Sequence, residues 1–418
     1  MLSSASIQNN HVKGSRGVAL LMVLSLITLL TVSIFEFSMN ANTNLRLAAN
    51  TRDRLQAKFM AQSALNIETF FLRHLNQLGP MKNFLPIPVT EIACSFLDSE
   101  LLNQFFRYKT DDNISADVSS DSKKEDAENK NEDEGKNQTT EGMSLGIFQN
   151  VSFRCITVEN EQNKINVNRL ASGQRDNIQL ALMGLFTGEQ YDFLFEGGNS
   201  SDLHEARIQL ISALTDWVDS DEEINTVAKI TGQKGSGGDE SSRFSGYDTN
   251  GKSKNALMDS VEEIRRVPLV NDAWFQEFMH RLTIYSSGKI NINEVDDSTF
   301  AGLVSSLVEI GGPSDYQKLK DVLEQKHILG EATEGLSLLK LNEATLKTLI
   351  TNAGLKIDEQ MWNFMVKSNQ AVIGFEEEVG AFRIITLGTV GNVTNTLNVV
   401  WRGYGENVSG DFLYWKES

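Results

Sequence analysis

The sequence predicts an α+β protein: a long N-terminal helix packed on an antiparallel sheet, with a large, mainly helical unit inserted into the chain path of that sheet. Three observations carry this expectation. Residues Val18–Leu78 contain neither glycine nor proline. Alternating, β-branched runs stand at 151–158 and 382–401, on either side of most of the remaining chain. Between them the apolar residues recur at helical spacing.

The helix has two parts. Val18–Phe35 is eighteen residues without a charge, the lower edge of a membrane-spanning length. Beyond Glu36, Met60, Ala64, Ile67, Phe71, Leu75 and Leu78 fall at steps of three and four, one face of a helix. Gly79-Pro80 ends the pattern. At about 1.5 Å per residue the element spans roughly 90 Å. Residues 18–35 are expected in lipid, and the rest of 18–78 against a soluble domain. Before the helix, residues 1–17 are short and polar, carry Lys13 and Arg16, and end in Gly17. No small-residue cleavage site follows Phe35, which disfavours a secretory signal. A plain uncleaved anchor also fits the basic flank.

At 418 residues the chain exceeds one ordinary domain. A net charge of −18 disfavours nucleic acid or an anionic membrane surface as partner. The two cysteines, Cys94 and Cys155, are too few for a disulfide framework. One bridge between them and two buried thiols both remain open. Residues 81–108 read as an irregular connection with a short helix around Ser99–Tyr108. Lys109–Ser144 holds eleven acidic and five basic residues and few apolar ones, so disorder is expected there.

Val151–Val158 then reads as a strand, and Asn163–Asn168 as a second extended piece. Helical spacing follows at Ile178–Leu185, Glu189–Phe195 and Leu203–Val218. A polar loop spans Asp219–Asn255, and helices resume at Ser260–Val267 and Ala273–Leu282. Lys164-Ile165-Asn166-Val167-Asn168 is echoed by Lys289-Ile290-Asn291-Ile292-Asn293 and, loosely, by Leu339–Glu343. Each precedes an apolar helix, with an asparagine placed to cap it. Phe382–Val390 and Thr394–Trp401 flank a turn at Gly391-Asn392 and read as a hairpin.

Chemical motifs are sparse. Gly246–Ser253 satisfies the P-loop spelling, but a polar, glycine-rich stretch precedes it where the mechanism needs an apolar strand. The Ile-Asn-Ile-Asn stretches resemble helix-hairpin-helix modules, yet Glu294, Asp296 and Asp297 follow where DNA binding needs cations. The histidines show no paired metal spacing, and no nucleophile-and-base set emerges, so catalysis is not expected. The credible ligand site is a carboxylate cluster. Asp219 and Asp221 alternate, Asp216, Glu222 and Glu223 lie beside them, and Asp239 and Glu240 return from a glycine loop. From the residues alone this reads as a solvated acidic loop, with a calcium site as the alternative.

The junction Lys13-Gly14-Ser15-Arg16-Gly17/Val18-Ala19-Leu20-Leu21 resembles a type IV prepilin leader, which implies cleavage between Gly17 and Val18 by a prepilin peptidase. Most pilins carry a glutamate at the fifth mature residue, here Met22. Losing it is a habit of the K-type minor pseudopilin of type II secretion. Asp216-Trp217-Val218-Asp219-Ser220-Asp221, Gly237–Glu240, Asp259–Val267, Ile290–Asn293 and the 382–401 hairpin are also similar to that family. The resemblance implies a leader at 1–17 and a helix at 18–78. It implies a pilin-like α+β domain at 79–170 and 376–418, with an inserted helical domain at 171–375. The acidic stretch 109–144 lies outside it. It further implies a non-enzymatic tip subunit of the pseudopilus, single-pass in the cell inner membrane, with the N-terminus cytoplasmic and the bulk periplasmic. Other minor pseudopilins would be its partners, and calcium would bind near Asp219, Asp221, Asp239 and Glu240. Alternatives are a membrane-anchored periplasmic calcium-dependent binding protein and a minor pilin of a type IV pilus.

Overall fold

The structure, a computed structural model, describes residues 15–77, 94, 151–196, 202–227, 238–245, 252–331, 340–376, 380–403 and 410–418. The expected short helix at 99–108, the acidic stretch 109–144 and most of the P-loop spelling lie outside these residues.

Helix α1 runs Ser15–Gln77 without a break, as the absence of glycine and proline beyond Gly17 predicts. From Gly17 to Ala48 every side chain is exposed. Further on, Ala57, Ala61, Ala64, Leu65 and Leu72 are buried, together with Glu68 and Thr69. This seam corrects the expected stripe. Ala64 belongs to it, whereas Met60, Ile67 and Phe71 are only half-buried and flank it. The reason is how closely the two backbones approach. A Cβ at Gly388 would lie 2.0 Å from the Ala57 carbonyl oxygen and 2.5 Å from the Ala61 nitrogen. Thr386 Oγ1 donates to the Ala61 carbonyl at 3.0 Å. Small residues on the helix and a glycine on the sheet make that contact, and the longer side chains close over its edges.

Strand β1 (Val151–Asn160) leads into the helical unit. Within that unit β2 (Ile165–Asn166) pairs in parallel with β3 (Leu282–Thr283), and β4 (Ile290–Asn291) with β5 (Ile373–Gly374). The chain returns as β6 (Ala381–Val390), β7 (Val393–Arg402) and β8 (Asp411–Glu417). The main sheet is antiparallel, in the order β1-β6-β7-β8. Gly391 takes φ +56° and makes the expected two-residue turn between β6 and β7. Strand β8 adds an edge that the hairpin reading does not contain.

The inserted helices are α2 (Arg175–Phe186), α3 (Leu203–Val218), α4 (Ser241–Phe244), α5 (Asp272–Phe278), α6 (Asp297–Ser305), α7 (Pro313–Glu331), α8 (Glu343–Asn352) and α9 (Glu359–Trp362). Two expected helices are 3-10 turns instead, at Glu189–Leu194 and Val261–Arg266. A continuous apolar core joins the insert, and Phe186, Trp274 and Phe278 stack in it with ring centroids 4.9–5.4 Å apart. Helices α2 and α6 cross at a glycine pair, where a Cβ on Gly184 would lie 2.1 Å from the Gly302 carbonyl oxygen.

The Asn echoes share a strand start but not one capping role. Asn166 caps a 3-10 turn through the Asn168 amide, and Asn342 caps α8 in a capping box with Thr345. In the middle copy Asp296 caps α6, and Asn293 instead ties Leu341 and Phe375 together.

Glu161 joins the sheet to the insert. Its fully buried carboxylate accepts from Lys164 Nζ at 3.0 Å, Arg383 Nε at 2.9 Å and the Thr283 hydroxyl. Burial pushes this carboxyl up, but Lys164, Arg383 and Thr283 outweigh it and hold it below the ordinary range. Cys94 and Cys155 form a disulfide with Cα atoms 5.1 Å apart, which closes the pairing left open by the sequence.

Candidate functional site

The carboxylate site forms where α3 ends. Asp216 lies in the last turn of α3, Asp219 is its C-cap, and Glu240 stands just before α4. A short antiparallel pairing brings Glu240 back: Ile224 N donates to the Gly238 carbonyl at 2.8 Å, and Glu240 N to the Glu222 carbonyl at 3.2 Å. Asp216, Asp219 and Glu240 each offer an oxygen within 4.8 Å of the others, and all three are buried.

Their partners leave charge over. Asp216 accepts from the Asn225 amide at 2.7 Å and pairs with Arg243. Asp219 Oδ2 accepts from Asn225 Nδ2 at 2.9 Å and lies 3.3 Å from Arg175 Nη2. Glu240 Oε2 accepts from Ser253 Oγ at 2.7 Å. Among the described residues, Asp219 Oδ1 and Glu240 Oε1 are buried with no hydrogen-bond partner. Burial pushes Asp216 up to about 7, with the charges of Glu240 and Asp219 adding to it. Burial also raises Glu240 to about 7 and lifts Asp219, in both cases with the nearby Asp221 charge acting in the same direction. Such a group of oxygens is short of positive charge. A hard divalent cation such as calcium, which takes six to eight oxygens, fits this donor set.

The structure brings together two of the four expected ligands, Asp219 and Glu240. It leaves Asp221 and Asp239 exposed and outside the cluster. Their side chains serve the backbone instead. Asp221 Oδ1 accepts from the Glu223 amide at 3.0 Å, and Asp239 Oδ1 from the Ser241 amide at 2.9 Å. These bonds stabilise local turns, which is a common use of aspartate in loops. The third member, Asp216, was legible only as a neighbour. Its signal is the three-residue step to Asp219, which at a helix end puts both carboxylates on one side. Ser253, the last residue of the P-loop spelling, donates to this site.

The N-terminal part of α1 is bare. Among the described residues one helix is long and apolar enough to cross a membrane, and it lies near the N-terminus. Val18 and Met22 are exposed on it. Gly17 is inside the helix, and a Cβ there would meet nothing within 4 Å.

No family model and no curated protein matches the chain. Among solved structures it is similar to a chain in the crystal structure of the GspK-GspI-GspJ complex from the enterotoxigenic Escherichia coli type 2 secretion system. The identity is 16% and the TM-score 0.39, over 64% of this chain and 80% of that one.

Proposed function

We propose that this chain is a minor pseudopilin of a type II secretion system, and within that class the K-type subunit that sits at the pseudopilus tip. The observation that carries this is the division of α1. Its first part is uncovered, and its second part is the central element of a domain core. Gly17 stands at the head of that helix with no packing reason for a glycine. A peptidase that needs a residue without a side chain at its cut supplies the missing reason.

In this reading Val18–Phe35 anchors the chain in the inner membrane and packs beside the helices of other minor pseudopilins. An acidic residue at the position of Met22 would need a partner in hydrocarbon. A subunit with nothing above it has none, and methionine asks for none. The inserted helical unit caps the fibre and stops further addition. Asp216, Asp219 and Glu240 would hold calcium, which would supply the positive charge their oxygens lack and fix the loop between α3 and α4.

Mass spectrometry of the mature N-terminus tests the assignment. The expected product begins at N-methylated Val18, and Gly17→Val leaves the full-length chain in the membrane and stops secretion. A wild-type chain that still begins at Met1 would indicate a plain anchor and overturn the proposal.

A further inference from the structure

The core between α1 and the sheet brings a buried carboxyl group beside two sulfurs, apart from the α3 loop. Glu68 is fully buried there, and among the described residues neither of its carboxyl oxygens has a hydrogen-bond partner. One of them lies within 4.8 Å of Cys94 Sγ and Cys155 Sγ, which are joined to each other in this structure. The two cysteines are half-buried and pack against the same apolar cluster. Burying a carboxyl group without a hydrogen-bond partner is unfavourable. Glu68 stands on α1 between Leu65 and Leu72, which belong to the apolar cluster of this core. An ordinary structural role would favour a leucine or a glutamine with a partner. The Glu68 carboxyl group instead lies beside two sulfurs.

We infer that Glu68, Cys94 and Cys155 form a zinc-binding site in the dithiol state of the chain. Zinc is bound by thiolates at about 2.3 Å and carboxylates at about 2.0–2.2 Å, in tetrahedral geometry, and two sulfurs with one oxygen leave a fourth position open. Thiolate donors select zinc over calcium. The dithiol state is the one the chain holds before its bridge forms, and a dithiol reductant regenerates it. In that exchange the Sγ–Sγ bond takes up two electrons and two protons, and the reductant becomes a disulfide. Zinc then displaces the two thiol protons and any proton on Glu68 into solvent. A disulfide oxidant reverses the sequence: it takes up the two electrons and is reduced to a dithiol, the Sγ–Sγ bond forms, and the ion leaves. The site would thus hold Cys94 against β1 and α1 before the covalent link exists.

The experiment uses the full chain in detergent, reduced with a phosphine and kept in excess calcium so that the α3 carboxylates do not compete. Cobalt serves as the optical probe and zinc as its competitor. The reduced chain is expected to bind one zinc more than the oxidised chain, and its cobalt form to show thiolate charge-transfer absorption. Cys155→Ser should lose that absorption. Glu68→Gln, which conserves volume, should keep the fold and weaken zinc binding by at least the roughly 10–100-fold typical of a lost group around a metal site. Glu68→Asp, which withdraws the carboxylate by one methylene, provides the same comparison if the glutamine variant does not fold. Reduced wild type without thiolate absorption, or a Glu68 variant that binds zinc as tightly as wild type, overturns the inference.

Discussion

Glu68 should make the stability of the helix–sheet core fall as pH rises. Burial raises its carboxyl from 4.5 to about 8. Between those values the folded chain keeps the proton that the unfolded chain has lost. The folded state then binds more protons, so stability declines with pH across that window, by about 1.4 kcal/mol for each pH unit. Over the whole interval the loss is on the order of 5 kcal/mol, complete near pH 8 and absent below about pH 4.5. Glu68→Gln carries no titrating group and removes this slope. Urea unfolding followed through tryptophan fluorescence reads it, because Trp401 is buried in the same core. The oxidised chain without added metal is compared at pH 5, 6, 7 and 8. Asp216 and Glu240 titrate in the same range, but they do so in both proteins and cancel in the difference. Wild type and Glu68→Gln should be close at pH 5, with the variant ahead by several kcal/mol at pH 8. Parallel curves across the range would refute the reasoning.

Three further outcomes are expected. Calcium should raise the melting temperature, by an amount equivalent to about 2.7 kcal/mol at a hundred times its dissociation constant, and the gain should shrink below pH 7 as protons compete for Asp216 and Glu240; differential scanning fluorimetry should show it lost in Asp219→Asn and largely kept in Asp221→Asn. Glu161→Ala should cost about 3–5 kcal/mol in urea unfolding, since Arg383 and Lys164 are left unpaired. Because the Glu161 carboxyl is held low, its contribution is present above the unfolded value and disappears as pH falls through the folded one, so the variant's acid limb should be flatter. Gly388→Ala should destabilise by about 1–3 kcal/mol, as its Cβ meets helix backbone that cannot rotate away, and chemical denaturation checks this.

The long helix and the terminal hairpin were readable because each rests on local rules. Helix α1 needs only the absence of breakers, and the β6–β7 turn needs only a glycine that takes positive φ. The α1 seam was not readable in register. Its position depends on Gly388 and Thr386, which lie far along the chain and offer no periodic signal near residue 60. The carboxylate site was half legible for the same reason. Acidic residues in a loop advertise a cluster, but which oxygens turn inward depends on the pairing of 222–224 with 238–240. Asp221 and Asp239 were taken up by their own neighbouring amides. Glu68 gives no signal in sequence at all, because a glutamate in a helix is ordinarily a solvated one.

The place where the insert leaves and rejoins the sheet has a consequence for the order of folding. Asn160 at the end of β1 pairs with Phe382 at the start of β6, so the chain departs from and returns to one spot. Strands β6, β7 and β8 are joined by short local connections and can find each other quickly. Strand β1, and α1 before it, must reach them across the entire helical unit. With that unit still unfolded, the closure spans a long flexible loop and is entropically slow. Once the helical core has formed, its two ends are already neighbours, and β1 is delivered beside β6. The insert then acts as a template for a sheet to which it contributes no strand, and a chain weakened in the Phe186–Trp274–Phe278 stack should build that sheet late.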